Sequence, residues 1–279
     1  DLHSFPTRRS SDLVGGIQRV VTDSGKFGDS DLLKAMKVVA NEDGVLVMTV
    51  GGKLYGFGSM YGGSLSSNKA VLIKNMENVA DISGKYVLTL TGSVYELRSN
   101  SLPRKITGYR DENNHEIAII KIAQGNNHLL ALDVKGRVWS MGSNGYGQLG
   151  DGTWSSKSSP VLLPKFTQAD KIVDISAGNQ CSAALDNAGK VYTWGYNGHG
   201  QLAHSNYSTY TSPKLVETDK AMVSVNMDYD QLALIQNNGT VWMSGDNASG
   251  QLGDGTNVSR NKLEIVADQI GRASCRERV

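Results

Sequence analysis

The stretch Arg137-Val-Trp-Ser-Met-Gly-Ser-Asn-Gly-Tyr-Gly-Gln-Leu-Gly-Asp-Gly-Thr153 decides the fold, because it returns. One copy is Lys190-Val-Tyr-Thr-Trp-Gly-Tyr-Asn-Gly-His-Gly-Gln-Leu202, and another is Thr240-Val-Trp-Met-Ser-Gly-Asp-Asn-Ala-Ser-Gly-Gln-Leu-Gly-Asp-Gly-Thr256. A fainter copy is Lys53-Leu-Tyr-Gly-Phe-Gly-Ser-Met-Tyr-Gly-Gly-Ser-Leu65. Self-similarity of this kind marks a chain of stacked units, none of which can bury its apolar face alone.

Working outward from each copy, two further apolar segments precede it. Residues 119–125 align with 172–178 and 222–228, and residues 128–132 align with 181–185 and 231–235. Turns at 134–136, 187–189 and 237–239 lead into the aromatic strand, and residues 160–163, 213–216 and 263–266 read as a fourth strand. The same order is visible earlier, with strands at 35–40, 45–49 and 53–57. A degenerate unit follows at 79–83, 86–90 and 93–97, where residues 98–104 replace the glycine-rich tail and 111–116 read as a polar insertion loop. The strand-end residues Gly58, Arg98, Gly142, Gly195 and Gly245 recur at steps of 40, 44, 53 and 50. Each step holds about four short strands and no long helical pattern, the sequence shape of a propeller blade. The expected fold class is all-β, a β-propeller of four-stranded blades forming an incomplete ring of about five.

The two ends stand apart from this pattern. Residues 1–13 and 270–279 resemble a translated sequencing adapter. Ser4 to Asp12 can be written in codons whose reverse complement translates in frame as Ile270 to Arg278. Such segments are excluded from fold reasoning, which leaves 14–269 as the propeller segment, open at both ends. The whole chain has 28 Lys and Arg against 27 Asp and Glu. Without the ends the counts become 23 and 24, a net charge of −1, and the most basic clusters are gone. With them goes any polybasic argument for nucleic acid or membrane. No apolar run reaches the ~18 residues of a membrane helix. Cys181 is the one cysteine left, so no disulfide and no cysteine metal cluster is expected. A single cysteine fits a reducing compartment and fits a cysteine-poor surface protein equally well, so no compartment is assigned.

Motifs that would carry chemistry have simpler readings. Gly145-Tyr-Gly-Gln-Leu-Gly150 matches the dinucleotide fingerprint, but serines and a proline follow where the fingerprint needs a helix. It reads as a repeat turn. Asp151-Gly-Thr and Asp254-Gly-Thr supply one carboxylate per turn, too few for calcium, and read as aspartates capping their own turns. His128 and His199 have no second His, Cys or carboxylate at ligand spacing and read as structural. The sequons at Asn206, Asn238, Asn247 and Asn257 are within chance in a chain this rich in Asn, Ser and Thr. Tyr55, Trp139, Trp194 and Trp242 read as core. No nucleophile with an assignable base stands out, so no catalytic residue, metal or cofactor is expected.

The third to fifth units resemble the regulator of chromosome condensation repeat family. The pattern is A/Q-G-x-x-H, an apolar run ending in Leu, then G-x-V-x-x-W/M-G-x-N-x-x-G-Q-L-G-D-G-T. The positions that carry it structurally are Gly125, His128, Gly136, Trp139, Gly142 and Gly147 in the third unit. They are Gly178, Gly189, Trp194, Gly195 and Gly200 in the fourth, and Gly239, Trp242, Gly245 and Gly250 in the fifth. The family histidine is replaced by Cys181 and Gln231, and Asp228 stands where the pattern has glycine. The resemblance implies a seven-bladed ring, with about two blades outside this segment. It implies a non-enzymatic scaffold for a protein partner, with specificity in the blade-connecting loops. Two alternatives stand beside it: nucleotide exchange on a small GTPase, which some relatives perform, and a repeat module of a bacterial or phage surface protein. The resemblance reaches no exchange residue.

Overall fold

The structure, a computed structural model, describes residues 34–40, 44–60, 65–98, 102–166 and 171–266. The adapter-like segments 1–13 and 270–279 lie outside the described residues. Twenty strands form five four-stranded antiparallel sheets, each a simple meander in chain order. The first sheet is β1 (Ala35–Ala40), β2 (Gly44–Thr49), β3 (Leu54–Met60) and β4 (Leu65–Leu72). The second is β5 (Val79–Ser83), β6 (Tyr86–Thr89), β7 (Val94–Glu96) and β8 (Arg104–Lys105). The third is β9 (Ile119–Gln124), β10 (His128–Asp133), β11 (Val138–Gly142) and β12 (Lys157–Leu162). The fourth is β13 (Ile172–Ala177), β14 (Cys181–Asp186), β15 (Val191–Gly195) and β16 (Tyr210–Leu215). The fifth is β17 (Met222–Asp228), β18 (Gln231–Gln236), β19 (Val241–Gly245) and β20 (Arg260–Ile265). These are five blades of a β-propeller.

Each sheet packs face to face on the next in sequence, so the second strands of the third and fourth sheets are buried on both sides. In β10, Leu129 and Ala131 join the cluster shared with the second sheet, while Leu130 and Leu132 join the cluster shared with the fourth. That is why these strands read as continuous apolar runs and not as alternation. Trp194 and Tyr55 are buried in the same way, and Trp139 donates its indole N–H to Asp133 at 2.9 Å. Trp242 is only half-buried. Its counterpart Tyr192 has the ring of Phe166 against it, centroids 5.3 Å apart, and the fifth unit has no aromatic in the matching connector.

The hairpin between second and third strands is closed by a side chain that takes the backbone N–H four residues on. Thr49, Thr89, Asp133 and Asp186 accept from Lys53, Ser93, Arg137 and Lys190. The glycine of the same turn then holds the following unit. The carbonyls of Gly52, Gly92, Gly136 and Gly189 accept from the backbone N–H of Val79, Ile119, Ile172 and Met222 at 2.9–3.1 Å. Every acceptor is a hairpin glycine and every donor opens the next sheet.

One expectation shifts. The fourth strands begin earlier than the segments 160–163, 213–216 and 263–266, at Lys157, Tyr210 and Arg260. Pro160 and Pro213 therefore lie inside strands. An outer edge strand tolerates proline because its missing N–H faces outward.

Candidate protein-binding face

First and third strands run the same way, so first-to-second turns and third-to-fourth loops gather at one end of every blade. We call this the loop end. In the third to fifth units one buried asparagine holds each long loop. Asn144, Asn197 and Asn247 accept from the N–H of Leu149, Leu202 and Leu252 at 2.9–3.0 Å. Their amide groups donate to the carbonyls of Thr153, Asn206 and Thr256, each at 2.9 Å. All three asparagines are 0% exposed, which also removes the sequon at Asn247 as a modification site in the folded chain. Gln148, Gln201 and Gln251 take the N–H of Tyr146, His199 and Ser249. Buried amides that satisfy several backbone groups at once make a loop rigid.

The glycines of the repeat belong to this framework. Gly142, Gly195 and Gly245 end the third strands at φ +114°, +95° and +113°. At Gly195 a Cβ would stand 2.5 Å from the Gln180 carbonyl oxygen, so the second and third strands could not approach as they do. Gly125 and Gly178 lie in first-to-second turns, Gly147, Gly200 and Gly250 in the long loops, and Gly136, Gly189 and Gly239 in the hairpins at the opposite end.

His128 is 2% exposed, and its Nε2 stands 2.9 Å from Ser182 Oγ. The Ser182 hydroxyl donates to the Gln148 carbonyl at 2.8 Å, and Trp194 Nε1 donates to the same oxygen at 2.9 Å. His128 is therefore the donor to Ser182, and its Nδ1 has no partner. Burial holds His128 down at about 4, so it stays neutral. A histidine beside a serine suggests nucleophilic chemistry, but this pair is shut inside and the serine proton is already committed. Cys181, also buried, leans on the Tyr229 carbonyl, and burial raises its thiol well above the usual range. Asp151 and Asp254 cap their own turns, accepting from Thr153 and Thr256.

What projects from the loop end is the set of residues between the constant ones. The motif G-x-N-x-x-G places Tyr146, Tyr196, His199 and Asp246 at its variable positions. Tyr146 meets Tyr196 edge-on, centroids 5.2 Å apart, and Tyr196 meets His199 at 6.2 Å. His199 has carboxylate neighbours that its sequence spacing does not show. The fold brings Asp230 of the fifth unit and Asp246 each to 3.9 Å from an imidazole nitrogen, across 31 and 47 residues of chain that spacing rules could not bridge. Gln201 donates to Asp230 at 3.0 Å and Gln251 to Asp246 at 2.9 Å. Burial raises the Asp230 carboxyl above its ordinary value against the pull of His199, and Asp246 pushes the same way as burial. Among the described residues no group of three or more His, Cys, Asp or Glu is arranged to hold a metal ion.

Comparison with known proteins places this geometry. The model described as "Regulator of chromosome condensation (RCC1) repeat" matches residues 135–185 and 188–227, and a second model of the same description matches 119–148 and 172–201. Among curated proteins, the human E3 ubiquitin-protein ligase HERC2 is 29% identical over 274 residues, covering 95% of this chain and 5% of that protein. This chain thus spans a small part of that relative's length. Among solved structures, human WBSCR16 matches with a TM-score of 0.70 at 19% identity over 83% of this chain and 67% of its own. Prp20p of Saccharomyces cerevisiae matches with a TM-score of 0.72 at 15% identity, covering 85% of this chain and 64% of that one.

Proposed function

We propose that this chain, which carries regulator of chromosome condensation repeats across 119–227, is a protein-binding scaffold that receives its partner at the loop end. The observation that supports the reading is where the aromatic rings emerge. Tyr146, Trp154, Tyr207 and Tyr229 are 42%, 57%, 57% and 66% exposed, and all four stand at the loop end. The hairpin end exposes aliphatic residues, among them Val50, Leu90 and Val134, and among the described residues no largely exposed aromatic ring. Exposed tyrosine and tryptophan on rigid loops supply large contact area at little entropic cost, the composition of binding hot spots. The scaffold role needs no group on this chain to take part in bond-making. A yeast protein of the same fold, Prp20p, binds proteins in its own right, among them Gsp1p, histones and Kap60.

The test is site-specific photo-crosslinking in the native host. A benzophenone amino acid replaces Trp154 or Tyr207 at the loop end, and Asn187 or Lys220 at the hairpin end. Discrete protein adducts are expected from the first pair and not from the second. Adducts formed equally at both ends, or at neither, would remove the assignment of the loop end.

A further inference from the structure

The loop end is chemically uneven, and the unevenness has a direction. A row of side chains crosses three units: Tyr146 from the third, Tyr196 and His199 from the fourth, then Asp230 and Asp246 from the fifth. Asp228 is exposed two residues from Asp230, and Tyr229 between them is exposed at φ +47°. Other carboxylates at this end already have cations. Asp151 has Lys157 at 3.6 Å and Asp254 has Arg260 at 2.6 Å. Among the described residues no lysine or arginine pairs with Asp228, Asp230 or Asp246. Asp228 is therefore exposed and Asp246 partly exposed at this end, while Asp230 is largely buried, and the His199 imidazole stands between Asp230 and Asp246.

We propose that this row receives a lysine- or arginine-bearing segment of the partner protein, a refinement that rests on the loop end being the binding face. The rings of Tyr146 and Tyr196 would take the aliphatic stem and cation face-on, and Asp230 and Asp246 would take the charge. Aromatic faces attract cations through their quadrupole. Two carboxylates held near one another gain when a cation is brought beside them. Nucleic acid is the wrong sign for this surface. A fork-shaped guanidinium can engage both carboxylates at once, so arginine should be preferred over lysine.

The test uses the full chain and a fluorescein-labelled dodecapeptide alternating arginine with glycine and serine. Versions with glutamine or glutamate at the arginine positions serve as comparison. Fluorescence anisotropy at low salt should show binding of the arginine peptide only, weakening as salt screens the charges. The double variant Asp230→Asn/Asp246→Asn should lose about tenfold in affinity. Tyr146→Ala, on an exposed side chain, should lose roughly threefold. Asp219→Asn, at the hairpin end, should change nothing. Equal binding of the glutamine peptide would overturn the proposal, as would unchanged affinity in a double variant that melts like the parent. If the double variant fails to fold, Tyr146→Ala decides alone. Trp154 and Tyr207 lie off the row, so crosslinked adducts there without arginine-peptide binding would overturn this inference and leave the scaffold reading standing.

Discussion

At the scale of the residue, the repeat varies in pairs. Gly150 in the third unit has φ +74°, and a Cβ there would lie 2.6 Å from the Trp194 indole nitrogen of the fourth. One unit on, the matching positions are Ala203 and Ser244. Ala203 keeps a positive φ of +59° although it is not glycine. The large tryptophan demands glycine opposite, and the small serine admits a methyl group. Gly150→Ala should cost about 2–3 kcal/mol, from strain at positive φ plus overpacking. Ala203→Gly should stay within about 0.5 kcal/mol, because relief of strain is offset by a looser unfolded chain. The double variant Gly150→Ala/Trp194→Ser should cost at least about 1 kcal/mol less than the sum of its parts. Urea denaturation midpoints of the single and double variants would check this, and strict additivity would contradict it. The sequence showed that Ala203 departs from the pattern. It could not show that Ser244 replaces the tryptophan opposite, because the two positions belong to different units.

At the scale of the element, the second sheet is the instructive one. Its strands shorten from five residues in β5 to two in β8, and the sequence between β7 and β8 does not carry the glycine-rich motif of the later units. An ion cluster takes that place. Glu96 at the end of β7 is 8% exposed and receives Lys85 at 2.7 Å, Arg98 at 3.0 Å and Arg104 at 2.9 Å. Burial alone would raise this carboxyl, but the three cations outweigh it and hold it at about 2. Its folded value thus lies below the ordinary 4.5. The stabilisation is therefore full above that value and is lost as pH falls from about 4.5 toward 2. Glu96→Gln should cost about 1–2 kcal/mol at neutral pH, discounted because the three cations are partly exposed. Melting curves of parent and variant should converge as pH approaches 2, and a pH-independent gap would rule the cluster out as the cause. The missing tail was legible in residues 98–104. The replacement was not, because its cations come from Lys85, Arg98 and Arg104 on separate segments.

At the scale of the whole molecule, neighbouring units leave a measurable trace. Ala183, Leu185 and Val191 of the fourth sheet are at most 2% exposed, whereas Ile235, the counterpart of Leu185, is 41% exposed. The hairpin glycines report the same thing. A Cβ at Gly189 would lie 2.9 Å from the Ala221 Cα, while one at Gly239 would meet no described atom within 4 Å. Gly189→Ala should therefore exceed Gly239→Ala in cost by about 1–2 kcal/mol, since both share a positive φ and only the first collides with backbone. Chemical denaturation of the two variants side by side measures the difference, and equal costs would refute it. At this scale the sequence was most informative. Repeat spacing, strand order and the five units could all be read from it, because glycines and apolar runs recur with the fold. The candidate face was least legible. Its residues occupy the positions that do not recur, and Asp230 reaches His199 only through the packing of two units.

The bond from each hairpin glycine to the strand that opens the next sheet has a sense, like the head and tail of a coupling. Each of the first four units offers its successor the same socket, a glycine carbonyl, and each of the last four enters its predecessor's by the same plug, one backbone N–H. The plug is backbone alone, and the socket asks only for glycine, since a Cβ there would meet the next unit. Duplicating or exchanging a whole unit therefore keeps both joints intact, and the residues at the loop end can change without disturbing the coupling. A chain put together this way can lengthen by copying and acquire new surfaces by drift, with one glycine per unit as the part it must preserve.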